Sequence, residues 1–304
     1  MPRFSFFRLL VVFAAGLLTF WPMIEAAQVR VATCQFPVSA QVSENAEWIL
    51  RQIAEAREKG ADVVHFPETA LSGYAGVDHA SLETFSWDLQ REQLQRILAA
   101  AAEHRVWVVL GATHRLSAPN KPHNSLYLIS PQGVIVDRYD KRFCTNVDLV
   151  HYSPGDHFVT FDLNGVKCGL LICYDVRFPE LYRQYAKQGV QLMFHSFYNA
   201  RGSKDSIHPK IMPLTAQAHA ASNGMTISLT NSSAAPSWEG RVVGPDGLVV
   251  TTLVRDVPGV IVTLVDTDRP YYDASRPFRA AAIDGKLNSG TVVDDPKSRD
   301  RNSY

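Results

Sequence analysis

The chain has 304 residues, enough for one large domain or two ordinary ones. Its 46% hydrophobic and 20% charged residues are the balance of a globular chain that buries a core. Thirty basic residues against thirty acidic ones leave no bulk field to recruit nucleic acid or an anionic membrane. None of the ten histidines falls in the spacing of a zinc site, so neither a metal nor a cofactor is expected.

The first segment, residues 1–27, differs from the rest. Arg3 and Arg8 precede an apolar run from Leu9 to Met23, and the small residues Ala26 and Ala27 follow. That is the layout of an export signal or a membrane-tethering leader. The run is short of the ~20 apolar residues of a spanning helix. The competing reading is an upstream start codon that adds a fortuitous apolar extension.

From Val29 onward, strand-like and helix-like segments alternate. VRVATCQF is a strand, and Ser43 to Lys59 a helix with Ala46, Ile49, Leu50, Ile53 and Ala56 at helical spacing. ADVVHFPE is a short buried strand, Leu89 to Glu103 an amphipathic helix, and RVWVVLGATH a strand. NSLYLISPQGVIVDRYDK predicts a hairpin turning at Pro131-Gln132-Gly133. GVKCGLLICYD is a strand, PELYRQYAKQG a helix closed by Gly189, and VQLMFHSF a strand. A helix from Pro213 to Asn223, the strand MTISLTNSS, a hairpin at Pro245-Asp246-Gly247 and the strand PGVIVTLVDTD complete the series. No repeat or composition break interrupts it, so 28–284 is expected to be one α/β layered domain, with a polar tail over 285–304. Continuous apolar runs such as GLLIC predict strands buried on both faces.

The four cysteines are Cys34, Cys144, Cys168 and Cys173. Cys168 and Cys173 lie five apart in one strand-like run, on opposite faces, and cannot pair locally. Cys173 is therefore expected to be an unpaired thiol, which sits uneasily with an oxidising compartment.

Three motifs concentrate reactive groups at the carboxyl ends of apolar strands, where α/β folds expose their ligand sites. They are HFPETALSGY with Glu68, RYDKRF with Lys141, and LLICYDVRFPELYR with Cys173. Singly, each has an ordinary explanation: a packed small hydrophobe for the cysteine, a solvated charge for the lysine, a helix cap for the glutamate. Together, in this order, they resemble the Glu–Lys–Cys triad of the carbon–nitrogen hydrolase (nitrilase-like) superfamily. ATCQFPV, HYSPGDHF, AQAHAASNG and the late GPDG turn extend the resemblance from about Val29 to Arg279.

The resemblance implies a four-layer α-β-β-α sandwich, homodimeric or larger, and hydrolysis of a small amide or N-carbamoyl compound. Glu68 would take the thiol proton, Cys173 would form a thioester, and Lys141 with the Tyr174 backbone N–H would hold the oxyanion. Many members carry a second glutamate where this chain has Asp148, and the family's Arg-x-x-Glu-Asn helix pattern here ends Ser222-Asn223. Asp148 is accordingly a supporting residue beside Lys141 or the substrate. Tyr74, Phe197 and Tyr198 match pocket-lining regions. Asp175, Arg177 and Glu180 are expected to brace the cysteine turn through an ion pair, and His195 and His219 to be hydrogen-bonded core residues. Two rival readings are an acyl-transferring relative, whose membrane-bound members need several transmembrane helices, and a catalytically silent binding protein.

Overall fold

The computed structural model describes residues 27–202 and 205–302. The expected leader lies outside them except for Ala27. Among the described residues, no helix is long and apolar enough to cross a membrane.

The first half of the domain runs β1 (Gln28–Gln35), α1 (Val42–Glu58), β2 (Val63–His65), α2 (Trp87–His104), β3 (Trp107–His114), β4 (His123–Ile129), β5 (Ile135–Asp140) and the single turn α3 (Asp148–His151). The second half runs β6 (Thr160–Leu163), β7 (Val166–Ile172), α4 (Pro179–Lys187), β8 (Leu192–Ser196), α5 (His208–Asn223), β9 (Thr226–Thr230), β10 (Arg241–Val243), β11 (Val249–Thr252) and β12 (Gly259–Asp266). Two short exposed helices, α6 (Arg276–Ile283) and α7 (Pro296–Arg299), follow.

Two six-stranded sheets result, in the orders β12-β1-β2-β3-β4-β5 and β11-β10-β9-β8-β7-β6. In each, three central strands are parallel and the outer ones antiparallel. Parallel neighbours need long crossovers. Here α1 and α2 supply them for the first sheet, and α4 and α5 for the second.

Strand alternation decides what each face meets. Val29, Val31, Val63, Val109, Leu126 and Leu128 turn toward the second sheet and pack with Leu170, Ile172 and Phe194. Their neighbours Ala32, Cys34, Val64, Val108 and Leu110 turn toward Ile49, Ile53 and Ile97 of α1 and α2. Each large side chain so buried contributes ~1.5–3 kcal/mol relative to exposure. The expected helix–sheet–sheet–helix sandwich is the observed architecture.

A polar seam crosses the apolar inter-sheet layer. His65 on β2 bonds Ser228 of β9 and Ser196 of β8, each at 2.9 Å. Ser228 also meets Thr33 of β1 at 2.8 Å, and Ser196 Oγ donates to the Phe66 carbonyl at 2.8 Å. Burial lowers His65 to about 3, so its ring is neutral.

Several elements differ from expectation. α5 begins at His208, and Pro213 lies inside it. Its first-turn proline is Pro209, the position that tolerates a missing N–H. The four-residue edge strand β6, the turn α3 and helix α6 carry too few periodic positions to stand out in sequence.

Candidate active site

Glu68, Lys141 and Cys173 each lie just beyond a strand, β2, β5 and β7 respectively, and the fold gathers them where the two sheets meet. Glu68 comes from a tight bend whose next residue, Thr69, has φ of 51°. Gly111 on β3 permits that bend. A Cβ there would stand 2.0 Å from the Pro67 carbonyl oxygen and 2.6 Å from the Thr69 nitrogen. Gly155, from the HYSPGDHF motif, does the same for Lys141. A Cβ at Gly155 would meet Asp140 Cβ at 2.4 Å, and its N–H donates to the Lys141 carbonyl at 2.9 Å.

Glu68 and Lys141 are fully buried and Asp148 is 1% exposed. Lys141 Nζ donates to Glu68 Oε1 at 2.9 Å and to Asp148 Oδ2 at 2.8 Å, and it lies 3.3 Å from the Tyr74 hydroxyl. Tyr74 gives a short hydrogen bond to Asp148 Oδ1, and Thr145 N–H donates to Asp148 Oδ2 at 2.9 Å. Asn124 Nδ2 adds a 2.7 Å bond to Glu68 Oε1. The other carboxylate oxygen, Glu68 Oε2, is buried with no hydrogen-bond partner among the described residues.

The electrostatics follow from this crowding. Burial alone would lower Lys141, but Glu68, Tyr74, Cys173 and Asp148 hold it well above its ordinary range, so it stays charged. Burial would raise Asp148, yet Lys141 together with the Tyr74 and Thr145 hydrogen bonds keeps it below the usual carboxylate range. Glu68 ends above that range, because burial outweighs Lys141 and Asn124. Burial, then Glu68, push the Cys173 thiol well up, while Lys141 and the Tyr198 backbone N–H pull the other way. The resting proton therefore sits on sulfur, next to a carboxylate of raised basicity.

Cys173 follows β7 with φ of 42° and opens a 3-10 turn through Arg177. A left-handed residue without glycine's freedom is strained by roughly 1–3 kcal/mol, and such strain clusters at functional positions. Tyr174 follows in the first turn, where leading N–H groups have no intrahelical acceptor. Asp175 holds this turn, with no ion pair among the described residues. Its oxygens accept from Tyr139 Oη at 2.8 Å, Phe143 N at 2.9 Å and Ile172 N at 3.1 Å. These bonds tie the Cys173 turn to the Lys141 segment, while Arg177 and Glu180 are exposed.

The three aromatic candidates separate. Tyr74 joins the charged cluster through its hydroxyl. Tyr198 packs against Tyr74, with ring centroids 5.0 Å apart, and lines a cavity of about 310 Å³ with Asn199, Ala200, His208, Pro236 and Arg255. Phe197 is fully buried between His195 and Trp238, so its backbone, not its ring, meets the cluster: its carbonyl accepts the Glu68 N–H at 3.3 Å. His195 bonds the Tyr182 hydroxyl at 2.6 Å, and His219 Nε2 donates to the Val176 carbonyl at 2.9 Å. Both are core residues.

Sequence reasoning passed over Asn124 and Asn199. Asn199 Nδ2 lies 3.6 Å from Cys173 Sγ. Neither asparagine carries a spacing signal, since each meets its partner only through the fold. All four cysteines are free. Among the described residues, no group of three or more His, Cys, Asp or Glu is arranged to hold a metal. The cluster offers a proton acceptor, a fixed cation and a strained thiol, a set suited to acyl transfer through sulfur.

The family model for carbon–nitrogen hydrolases matches residues 30–271. The chain is 30% identical over 178 residues to an omega-amidase of Xenopus tropicalis, covering 56% of this chain and 63% of that protein. It is 37% identical over 134 residues to an (R)-stereoselective amidase of a Pseudomonas species, covering 43% and 46%. The chain thus spans less than two thirds of the length of these curated relatives. Among solved structures, a mutant of the amidase from Nesterenkonia sp. AN1 in complex with butyramide matches with a TM-score of 0.70 at 23% identity, covering 86% of this chain and 98% of that one. That likeness speaks to the fold.

Proposed function

The chain belongs to the carbon–nitrogen hydrolase family, and on that premise we propose that it hydrolyses a small non-peptide amide or N-carbamoyl compound through a thioester on Cys173. The observation that carries this reading is the buried Lys141 ammonium fixed between Glu68 and Asp148 while Glu68 Oε2 has no partner among the described residues. Such an oxygen is ready to accept a proton.

Glu68 takes the thiol proton as sulfur attacks the carbonyl carbon, forming a C–S bond and an oxyanion. The Lys141 ammonium and the Tyr174 N–H stabilise that oxyanion. Collapse breaks the C–N bond, and Glu68 returns the proton to the leaving nitrogen, which departs as ammonia or an amine. Water then gives a proton to Glu68 and attacks the thioester. The acid leaves, and the thiolate regains its proton from Glu68. Asp148 keeps Lys141 charged and aimed. A cavity of about 310 Å³ is lined by Asn199, whose side chain approaches Cys173, and not by Cys173 itself; its size is that of a small substrate.

The deciding experiment is an ammonia-release assay across amides, N-carbamoyl compounds and nitriles, run with wild type and Cys173→Ala. Turnover by wild type, an acyl adduct by intact mass and an inactive alanine variant are expected. Substantial turnover in Cys173→Ala would sink the reading. An acyl-transferring relative would instead show product only with an added acceptor, and a silent binding protein no turnover at all.

We further propose that residues 1–27 export or tether the protein, on the strength of their charge and apolar layout. A homo-oligomer is supported by the exposed Ile207, Ile211 and Leu214 at and near the start of α5. Light scattering of the purified chain tests it.

A further inference from the structure

Asn199 lies beyond β8 on the segment that covers Cys173, and no step above uses it. Its Nδ2 approaches Cys173 Sγ at 3.6 Å, while its Oδ1 accepts from Trp238 Nε1 at 3.2 Å. An indole nitrogen only donates. It can therefore engage only the amide oxygen, and that turns the NH2 group toward sulfur, so chemistry fixes the amide's orientation. The backbone is held as firmly. Asn199 N–H donates to Asn231 Oδ1 at 2.7 Å, and Asn231 Nδ2 donates to the carbonyls of Asn199 at 3.3 Å and Trp238 at 2.9 Å. Asn231 is fully buried and Trp238 is 2% exposed. Two buried side chains thus serve to fix one amide against one sulfur.

We propose that Asn199 is a further catalytic residue whose amide N–H donates to the Cys173 sulfur when it carries negative charge, and that Trp238 and Asn231 are positioning residues that aim it. The inference rests on Cys173 being the nucleophile. The sulfur has few other allies. Glu68 and Asp148 oppose a sulfur anion, Lys141 and the Tyr198 backbone N–H favour it, and Tyr74 keeps its proton. His195 backs the turn from β8 as a neutral ring. A donor to the anion from Asn199 offsets part of the carboxylate repulsion and leaves Lys141 free for the carbonyl oxygen.

The test is the pH dependence of Cys173 alkylation by iodoacetamide, with the adduct located by peptide mass spectrometry so that Cys144 does not confound it. Removing one hydrogen bond to a charged group should move the midpoint up by about one pH unit in Asn199→Leu and lower kcat about ten-fold, with KM little changed. Asn199→Asp should shift it further, and Trp238→Phe in the same direction but less. A wild-type alkylation profile in folded Asn199→Leu overturns the proposal. Should that variant not fold, Trp238→Phe decides, because it keeps the amide while removing its orienting donor, and an unshifted profile there is equally fatal. If Cys173→Ala retains turnover, the nucleophile assignment has failed. If Cys173→Ala is inactive and the profiles do not move, only the role of Asn199 has.

Discussion

Replacing Lys141 by methionine keeps the unbranched stem of the side chain but removes its charged end, and the structure sets what should follow. Lys141 is fully buried, with Glu68 Oε1 at 2.9 Å and Asp148 Oδ2 at 2.8 Å. Removing it strands two carboxylates in a dry site, a change of the kind that costs about 3–5 kcal/mol. The sign with pH can be worked out. In wild type, the folded pKa of Asp148 is depressed, so its contribution is present above its unfolded value of about 3.9 and is lost as pH falls through the lower folded value. The folded pKa of Lys141 is raised, so its contribution is present below about 10.4 and lost only above that. Both contributions therefore stand at neutral pH. In Lys141→Met, burial acts on Glu68 and Asp148 with only the Asn124, Tyr74 and Thr145 hydrogen bonds left against it, and both should rise. The variant should be less stable by about 3–5 kcal/mol at pH 7.5, and the gap should narrow as pH falls toward 4 and the carboxyls take up protons. Urea unfolding at several pH values measures this, and steady-state assays should show turnover down about a hundred- to a thousand-fold. A stability gap constant from pH 8 to pH 4, or turnover within ten-fold of wild type, would refute the coupled cluster.

Gly111→Ala should displace the Glu68 bend, because the added carbon would stand 2.0 Å from the Pro67 oxygen. Turnover should fall about a hundred-fold, as an ångström-scale misplacement costs, with the fold retained by circular dichroism; normal kinetics would show that the bend does not set the base. Burial outweighs three donors at Asp175 and raises it to about 6, so its contribution is present below about pH 4 and lost as pH rises through about 6. Wild type should therefore lose up to about 3 kcal/mol relative to Asp175→Asn between pH 4 and pH 7, and parallel stability curves would disprove this. For the leader, N-terminal sequencing of protein from fractionated native cells should find a chain starting near Ala27 or Gln28, or a membrane-held one. An intact Met1 on a soluble product rejects both, and deleting residues 1–26 should leave activity unchanged.

The strands and most helices were legible because their apolar periods are long and clean, as in Ala46 to Ala56. The gathering of Glu68, Lys141 and Cys173 was legible through the resemblance that their three motifs carry together; the strand before Lys141, Ile135–Asp140, has no continuous apolar run that would betray it alone. Phe197 was not, because VQLMFHSF gives no sign of where β8 stops and the backbone turns its ring into the core. Nor was the start of α5: Pro209 and Pro213 both suit a first turn, and only packing tells which one lies inside the helix. Asn199, Asn231 and Trp238 meet across 39 residues or fewer of sequence, through side-chain and main-chain bonds that only the folded chain brings into range. No residue pattern encodes that geometry.

Glu68 and Lys141 follow strands of one sheet, and Cys173 and Asn199 follow strands of the other. The gap between base and nucleophile is thus a joint tolerance, set by how the sheets are docked. The His65, Ser196, Ser228 and Thr33 bonds act as dowels in that joint, since any slip of one sheet over the other would strand polar atoms in an apolar layer. Loosening the dowels should therefore disarm the molecule while every strand remains paired. On heating, a chain weakened at Ser228 would fall silent before its ellipticity changed.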